Sequence, residues 1–134
     1  MPANATLATI LIVDDEHRIR EGLRDYFEDM GYLVLTAGSG EEGLKTLDGW
    51  HADVCTVDIR LPGMNGNDFI RAAHAAWPGL KFVVYTGSVG YTLPCELVCE
   101  AVAPENVFFK PVESQDQLAG AVERLLGAGK LSPP

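Results

Sequence analysis

Five short runs of apolar, largely β-branched residues recur along the chain, and amphipathic stretches about a dozen residues long separate most of them. This alternation constrains the fold more than any other feature, because strands joined by helical crossovers lie parallel in one sheet. Leu7–Val13 is the first run, and its near-continuous apolar character suits a strand buried on both faces. Ile19, Leu23, Phe27 and Met30 then recur at helical spacing, with Gly31 placed to end the helix. Tyr32–Ala37 and Val54–Val57 are the second and third strands, and Ser39 can cap a helix over Glu41–Leu47. A third helix over Gly66–Ala76 is closed by Trp77-Pro78-Gly79, and the fourth strand follows over Leu80–Tyr85. Gly90, Pro94 and Pro104 leave room only for a short, irregular fourth helix near Cys95–Ala101. Val107–Phe109 makes the fifth strand, and Leu118, Val122, Leu125 and Leu126 define the last helix. The expected fold is α/β, a doubly wound parallel sheet.

The 134 residues suit one domain, with a core over about residues 7–127 and a loose tail over 128–134. A net charge of −9 opposes direct binding to nucleic acid or anionic lipid, since both depend on Lys and Arg displacing counterions. No apolar run approaches the ~20 residues of a membrane span, and Met1–Thr9 lacks the basic start and apolar core of a secretory signal. A cytoplasmic location is expected. Cys55, Cys95 and Cys99 have no His or Cys neighbours at metal-ligand spacing, and a packing role is expected for Cys95 and Cys99, four residues apart on one helical face.

In an open parallel sheet all strands end along one edge, where ligands bind. The first strand ends in Asp14-Asp15, the third in Asp58, the fourth in Thr86 and the fifth in Lys110-Pro111. Taken singly, each has a structural use: Asp15 and Glu16 favour a helix N-terminus, Thr86 caps a turn, and Lys110 is a solvated charge. Together they bring three carboxylates, a hydroxyl and an ammonium to one rim.

Three clustered carboxylates repel one another unless a cation is present. With oxygen ligands and no His or Cys set, Mg²⁺ suits the cluster better than zinc. A carboxylate is ionised at neutral pH and attacks phosphorus without a base, needing only orientation and relief of charge on the incoming group. Mg²⁺, the Lys110 ammonium, and the Thr86 hydroxyl with nearby backbone N–H groups would each take one phosphoryl oxygen.

Val13-Asp14-Asp15-Glu16, Asp58-Ile59-Arg60-Leu61-Pro62-Gly63-Met64-Asn65-Gly66, Thr86-Gly87 and Lys110-Pro111 closely resemble the motifs of the response-regulator receiver family. The resemblance covers about residues 7–127. It implies the flavodoxin-like (βα)5 fold with strand order 2-1-3-4-5. By the same resemblance Asp58 is the phosphoacceptor, Asp15 and Asp58 bind Mg²⁺ directly with the Arg60 backbone carbonyl, and Asp14 acts largely through water. Thr86 would be the switch hydroxyl and Lys110 the phosphate-binding lysine. A histidine kinase or phosphotransfer protein would supply the phosphoryl group, and a downstream protein target would read a surface shift, in a monomer or a phosphorylation-dependent dimer. Enzymatic activity would be limited to Mg²⁺-dependent self-phosphorylation and autodephosphorylation.

Three departures stand out. The aromatic residue usual three positions before the lysine is replaced by Val107, and alternation puts Phe108 on the opposite face and Phe109 nearer the rim. The Pro-interrupted segment from Gly90 to Pro104 stands where a regular fourth helix is usual. Arg60, two residues after the acceptor, is placed to cover an acyl phosphate or to remain solvated.

An aspartyl-phosphate phosphatase would need a second acid two residues after its nucleophile, where Arg60 stands. A flavin module of similar fold would need small residues after the first strand to receive phosphate, whereas Asp14-Asp15-Glu16 would repel it. A phosphorylation-independent interaction module is the remaining alternative. The short stretch after the last helix points to a stand-alone receiver, with a fragment of a longer regulator as the other expectation.

Overall fold

The computed structural model describes residues 8–130. Five parallel strands form one sheet in the order β2-β1-β3-β4-β5: β1 Thr9–Val13, β2 Leu33–Ala37, β3 Val54–Val57, β4 Lys81–Thr86 and β5 Val107–Phe109. The helices are α1 His17–Asp29, α2 Gly40–Gly49, α3 Gly66–Ala76, α4 Cys95–Glu100 and α5 Asp116–Lys130, with a 3-10 turn over Pro104–Asn106.

The apolar runs of β1, β3 and β4 arise because both faces of the sheet are covered. Leu11, Val13, Cys55, Val57, Phe82 and Val84 face one cluster, which takes in Leu47 of α2, Phe69, Ile70 and Ala73 of α3, and Leu97 of α4. Ile10, Ile12, Val54, Val83 and Tyr85 face the other, with Leu23 and Phe27 of α1 and Leu118 and Val122 of α5. Right-handed crossovers that first run outward from β1 to β2 and then turn back through β3 to β5 place α1 on one side of the sheet and α2, α3 and α4 on the other, which is the doubly wound arrangement.

Local chemistry sets the helix ends. Gly31 follows α1 at φ 101°, the left-handed conformation favoured for a residue just past a helix. The Ser39 side chain accepts from the Glu42 N–H at 3.1 Å, and Asn65 accepts from Asp68 N–H at 2.9 Å, so α2 and α3 both start on capping residues. α4 is six residues long, begins behind Pro94 and has no side-chain cap, as the Pro-interrupted sequence predicts.

Two expectations differ from the structure. α5 continues through residues 128–130, which the sequence pattern assigns to a tail; a single glycine such as Gly127 costs a helix only about 1 kcal/mol relative to alanine and does not stop it. The remainder of that tail, 131–134, and Leu7 of the first strand lie outside the described residues. Cys95, expected to pack, is exposed, because it opens α4 directly after Pro94; Cys55 is buried in β3, and the side chain of Cys99 lies outside the description.

Candidate functional site

The sheet register delivers the polar residues to one place. Val13 pairs with Val57, and Val57 with Val84. The ladder then runs one residue past the strands: Asp14 N–H donates to Ala37 O at 3.1 Å, Asp58 N–H to Val13 O at 3.0 Å, and Lys110 N–H to Thr86 O at 2.9 Å. Asp14, Asp58 and Lys110 are therefore fixed at the backbone by the sheet rather than by mobile loops, which is how a rigid scaffold holds a reactive group.

Asp14 and Asp58 are buried, and Asp15 is exposed beside them. Carboxylate oxygens of all three lie within 4.8 Å of one another. The Lys110 ammonium stands among the acids, 2.8 Å from Asp14 Oδ2, 2.8 Å from Glu16 Oε1 and 3.1 Å from Asp58 Oδ2. Its Nζ also sits 5.7 Å from the centroid of the Tyr85 ring. Arg60 N–H donates to Asp58 Oδ1 at 3.3 Å, so both oxygens of that carboxylate have a donor.

Burial pushes the Asp14 carboxyl above its ordinary pKa, and this outweighs the opposing pull of the Lys110 hydrogen bond and the Glu16 N–H. Burial alone would lower the Lys110 pKa. Hydrogen bonds to Asp14 and Glu16, the charge of Asp14 and the bond to Asp58 overcome that effect and raise it, so the lysine stays charged at neutral pH.

An open cleft lies over the cluster. Asp15, Asp58, Arg60 and Lys110 line it, joined by Glu16 and by Gly87 and Ser88 of the β4–α4 connection. Thr86 is brought to the same strand edge but is fully buried, and its hydroxyl accepts from the Ser88 N–H at 3.2 Å. Val107 packs with the cluster that holds Leu97 and Val102, Phe108 with the opposite cluster, and Phe109 is 44% exposed, matching the alternation expected from the sequence.

Two residues of the site lie beyond the sequence-predicted set. Glu16, part of the Val13-Asp14-Asp15-Glu16 motif but given no role beyond an acidic helix start, reaches Lys110. Gly66, the last residue of the motif that begins at Asp58 but given no role beyond starting α3, comes so close to the Asp58 backbone that a Cβ there would lie 2.4 Å from Asp58 O. Its place eight residues after Asp58, at a helix start, was the available signal.

The chain matches the response regulator receiver domain over residues 10–123, and it belongs to that family. It is 33% identical over 121 residues to the sensor kinase CckA of Brucella abortus, covering 89% of this chain and 12% of the kinase. Against the alginate biosynthesis transcriptional regulatory protein AlgB of Pseudomonas putida it is 32% identical over 123 residues, 92% of this chain and 27% of the regulator. The chain thus spans a minor part of the length of these relatives. Among solved structures, response regulator TrrA of Thermotoga maritima, in complex with Mg²⁺-BeF, superposes with a TM-score of 0.76 at 28% identity, over 89% of this chain and 99% of that one. The protein is a receiver domain whose acidic pocket is formed by Asp14, Asp15 and Asp58. Among the described residues, no helix is long and apolar enough to cross a membrane.

Proposed function

We propose that this receiver accepts a phosphoryl group on Asp58 in a Mg²⁺-dependent phosphorelay. The observation that carries the reading is the placement of the Asp58 carboxylate at the end of β3, within the three-acid cluster and 3.1 Å from Lys110 Nζ. The Asp58 carboxylate is the nucleophile. Lys110 is the charge that meets an incoming phosphoryl oxygen, and the Thr86 hydroxyl moves from its bond to Ser88 to report the phosphate.

The donor set fits Mg²⁺: the ligating atoms are hard oxygens, two of the acids are buried, and no His or Cys joins the cluster among the described residues. Asp15 and Asp58 would hold the ion with the Arg60 carbonyl, and Asp14 largely through water. When bound, the ion neutralises charge on the transferring group. The complex of TrrA with Mg²⁺-BeF supports the assignment.

A histidine kinase or phosphotransfer protein supplies the phosphoryl group, and a protein target reads the altered surface, in keeping with relatives that include a sensor kinase and a transcriptional regulator. The domain works in the cytoplasm, as a monomer or a phosphorylation-dependent dimer, with no enzymatic activity beyond gaining and losing its own phosphate. The test is intact mass after incubation with Mg²⁺ and acetyl phosphate. One phosphoryl adduct is expected on the wild type and none on Asp58→Asn; a wild type that gains no Mg²⁺-dependent adduct overturns the reading and leaves the phosphorylation-independent module.

A further inference from the structure

We propose that Glu16 is a latch on Lys110: it occupies the lysine N–H that an incoming phosphoryl oxygen requires, and it sets how readily the domain accepts phosphate. The inference rests on the reading of Asp58 as the acceptor.

An ammonium has three donors. In this structure Lys110 Nζ faces three carboxylates, from Asp14 at 2.8 Å, Glu16 at 2.8 Å and Asp58 at 3.1 Å. All three donors therefore have a carboxylate in reach. A phosphoryl oxygen can gain this lysine only if one carboxylate gives it up. Asp14 and Asp58 are anchored by backbone hydrogen bonds one residue beyond their strands, and their side chains are 3% and 6% exposed. The Glu16 side chain is 58% exposed and reaches the lysine from a flexible stem. The exposed Glu16 carboxylate can turn into water and leave Lys110 paired with two other acids, whereas uncovering a buried carboxylate costs much more, so Glu16 is the partner that lets go.

The local structure argues against a plain helix-start role for this acid. Glu16 stands at the N-cap of α1, where a side chain normally accepts from an N–H of the first turn, and it makes no such bond. Its backbone N–H instead donates to Asp14 Oδ1 at 2.9 Å, which fixes its Cα beside the pocket, and the side chain is turned to Lys110. Glu16 also lines the cleft. A phosphodonor entering there meets a lysine already engaged and a further negative charge.

The experiment measures the rate of adduct formation with acetyl phosphate and Mg²⁺ in wild type, Glu16→Gln, Lys110→Ala and the double variant. Glu16→Gln is expected to react about two- to five-fold faster, the factor corresponding to an exposed ion pair. The gain should vanish in the Lys110→Ala background. A rate for Glu16→Gln equal to or below wild type overturns the latch while leaving Asp58 as acceptor. A gain that persists without Lys110 also overturns it, because Glu16 would then act only as a repulsive charge. A wild type that takes up no phosphate overturns the acceptor reading itself. A second readout needs neither metal nor phosphodonor: the Lys110 Cε–Nζ resonance in the metal-free protein is expected to shift in Glu16→Gln and to stay in place in Glu21→Gln, and an unmoved resonance overturns the contact.

Discussion

Gly66 and Asp58 meet backbone to backbone: a Cβ on residue 66 would lie 2.4 Å from the Asp58 carbonyl oxygen and 2.7 Å from Ile59 Cα. The Gly66 N–H donates to Ile59 O at 2.8 Å, so the start of α3 is hydrogen-bonded to the segment that carries Asp58. Adding a methyl group must push the two apart. Gly66→Ala is expected to lower stability by about 1–3 kcal/mol, the range for overpacking a site that cannot relax. Gly22, inside α1 with no atom within 4 Å of its would-be Cβ, is the control. Gly22→Ala is expected to raise stability by about 0.5–1 kcal/mol. Urea unfolding of the two variants checks the pair, and a neutral Gly66→Ala would show that the close approach can relax.

Asp14 gives a pH signature. Its native-state pKa is raised, chiefly by burial, so its favourable contribution is present while it is protonated, below the unfolded value, and is lost as pH rises through the native value. At neutral pH without divalent cations the ionised side chain is a net cost. Asp14→Asn is therefore expected to be more stable than wild type at pH 7 in the presence of a chelator. The gain should shrink as pH falls into the ordinary carboxylate range. Denaturant midpoints at several pH values check this, and a variant less stable at pH 7 contradicts the sign.

The residues legible in the sequence share a property: each interrupts a pattern. Asp14, Asp58, Thr86 and Lys110 stand at or directly after the end of an apolar run, and parallel topology converts the end of a strand into a place at the rim. Val57 and Phe109 likewise mark the ends of β3 and β5 where the sequence predicts them. Glu16 does not interrupt anything, since an acid at a helix start is ordinary. Its use shows only when β1 and β5 bring it to Lys110, 94 residues away in sequence. Gly66 is similar, because a helix start tolerates glycine for local reasons and its close approach to Asp58 is tertiary. The depth of Thr86 was also invisible: alternation gives the face of a residue but not how far it lies beneath the surface.

If the acidic cluster holds Mg²⁺ as proposed, Lys110 and the ion would compete for the same carboxylates. Lys110→Ala leaves Asp14 and Asp58 buried without the cation that now contacts both, and breaking a buried pair in this way costs about 3–5 kcal/mol. The metal-free variant is expected to lose stability on that order. Mg²⁺ should then restore part of it, since a ligand at a hundred times its Kd contributes about 2.7 kcal/mol. The rise in Tm on adding Mg²⁺ is expected to be larger for Lys110→Ala than for wild type. A smaller rise would mean that lysine and metal assist each other at the cluster.

α4 is the element with least support of its own. A helix of six residues is too short to be stable alone, and it lacks a side-chain cap. Two kinds of contact hold it. Leu97 and Val102, each 3% exposed, sit in the cluster with Phe82 and Val84, while Arg71 of α3 bonds Glu96 at 2.5 Å with both side chains largely exposed. Burial decides between them: truncating a buried leucine costs about 2–5 kcal/mol, whereas an exposed ion pair is worth about 1 kcal/mol at most. Leu97→Ala is expected to release the segment, bringing amide exchange over residues 95–102 close to the rate of an open loop while β1 and β3 stay protected. Arg71→Ala should leave exchange there nearly unchanged. Peptide-resolved hydrogen exchange distinguishes the two, and a loss of protection in Arg71→Ala equal to that in Leu97→Ala would place the anchor of α4 on its surface rather than in the core.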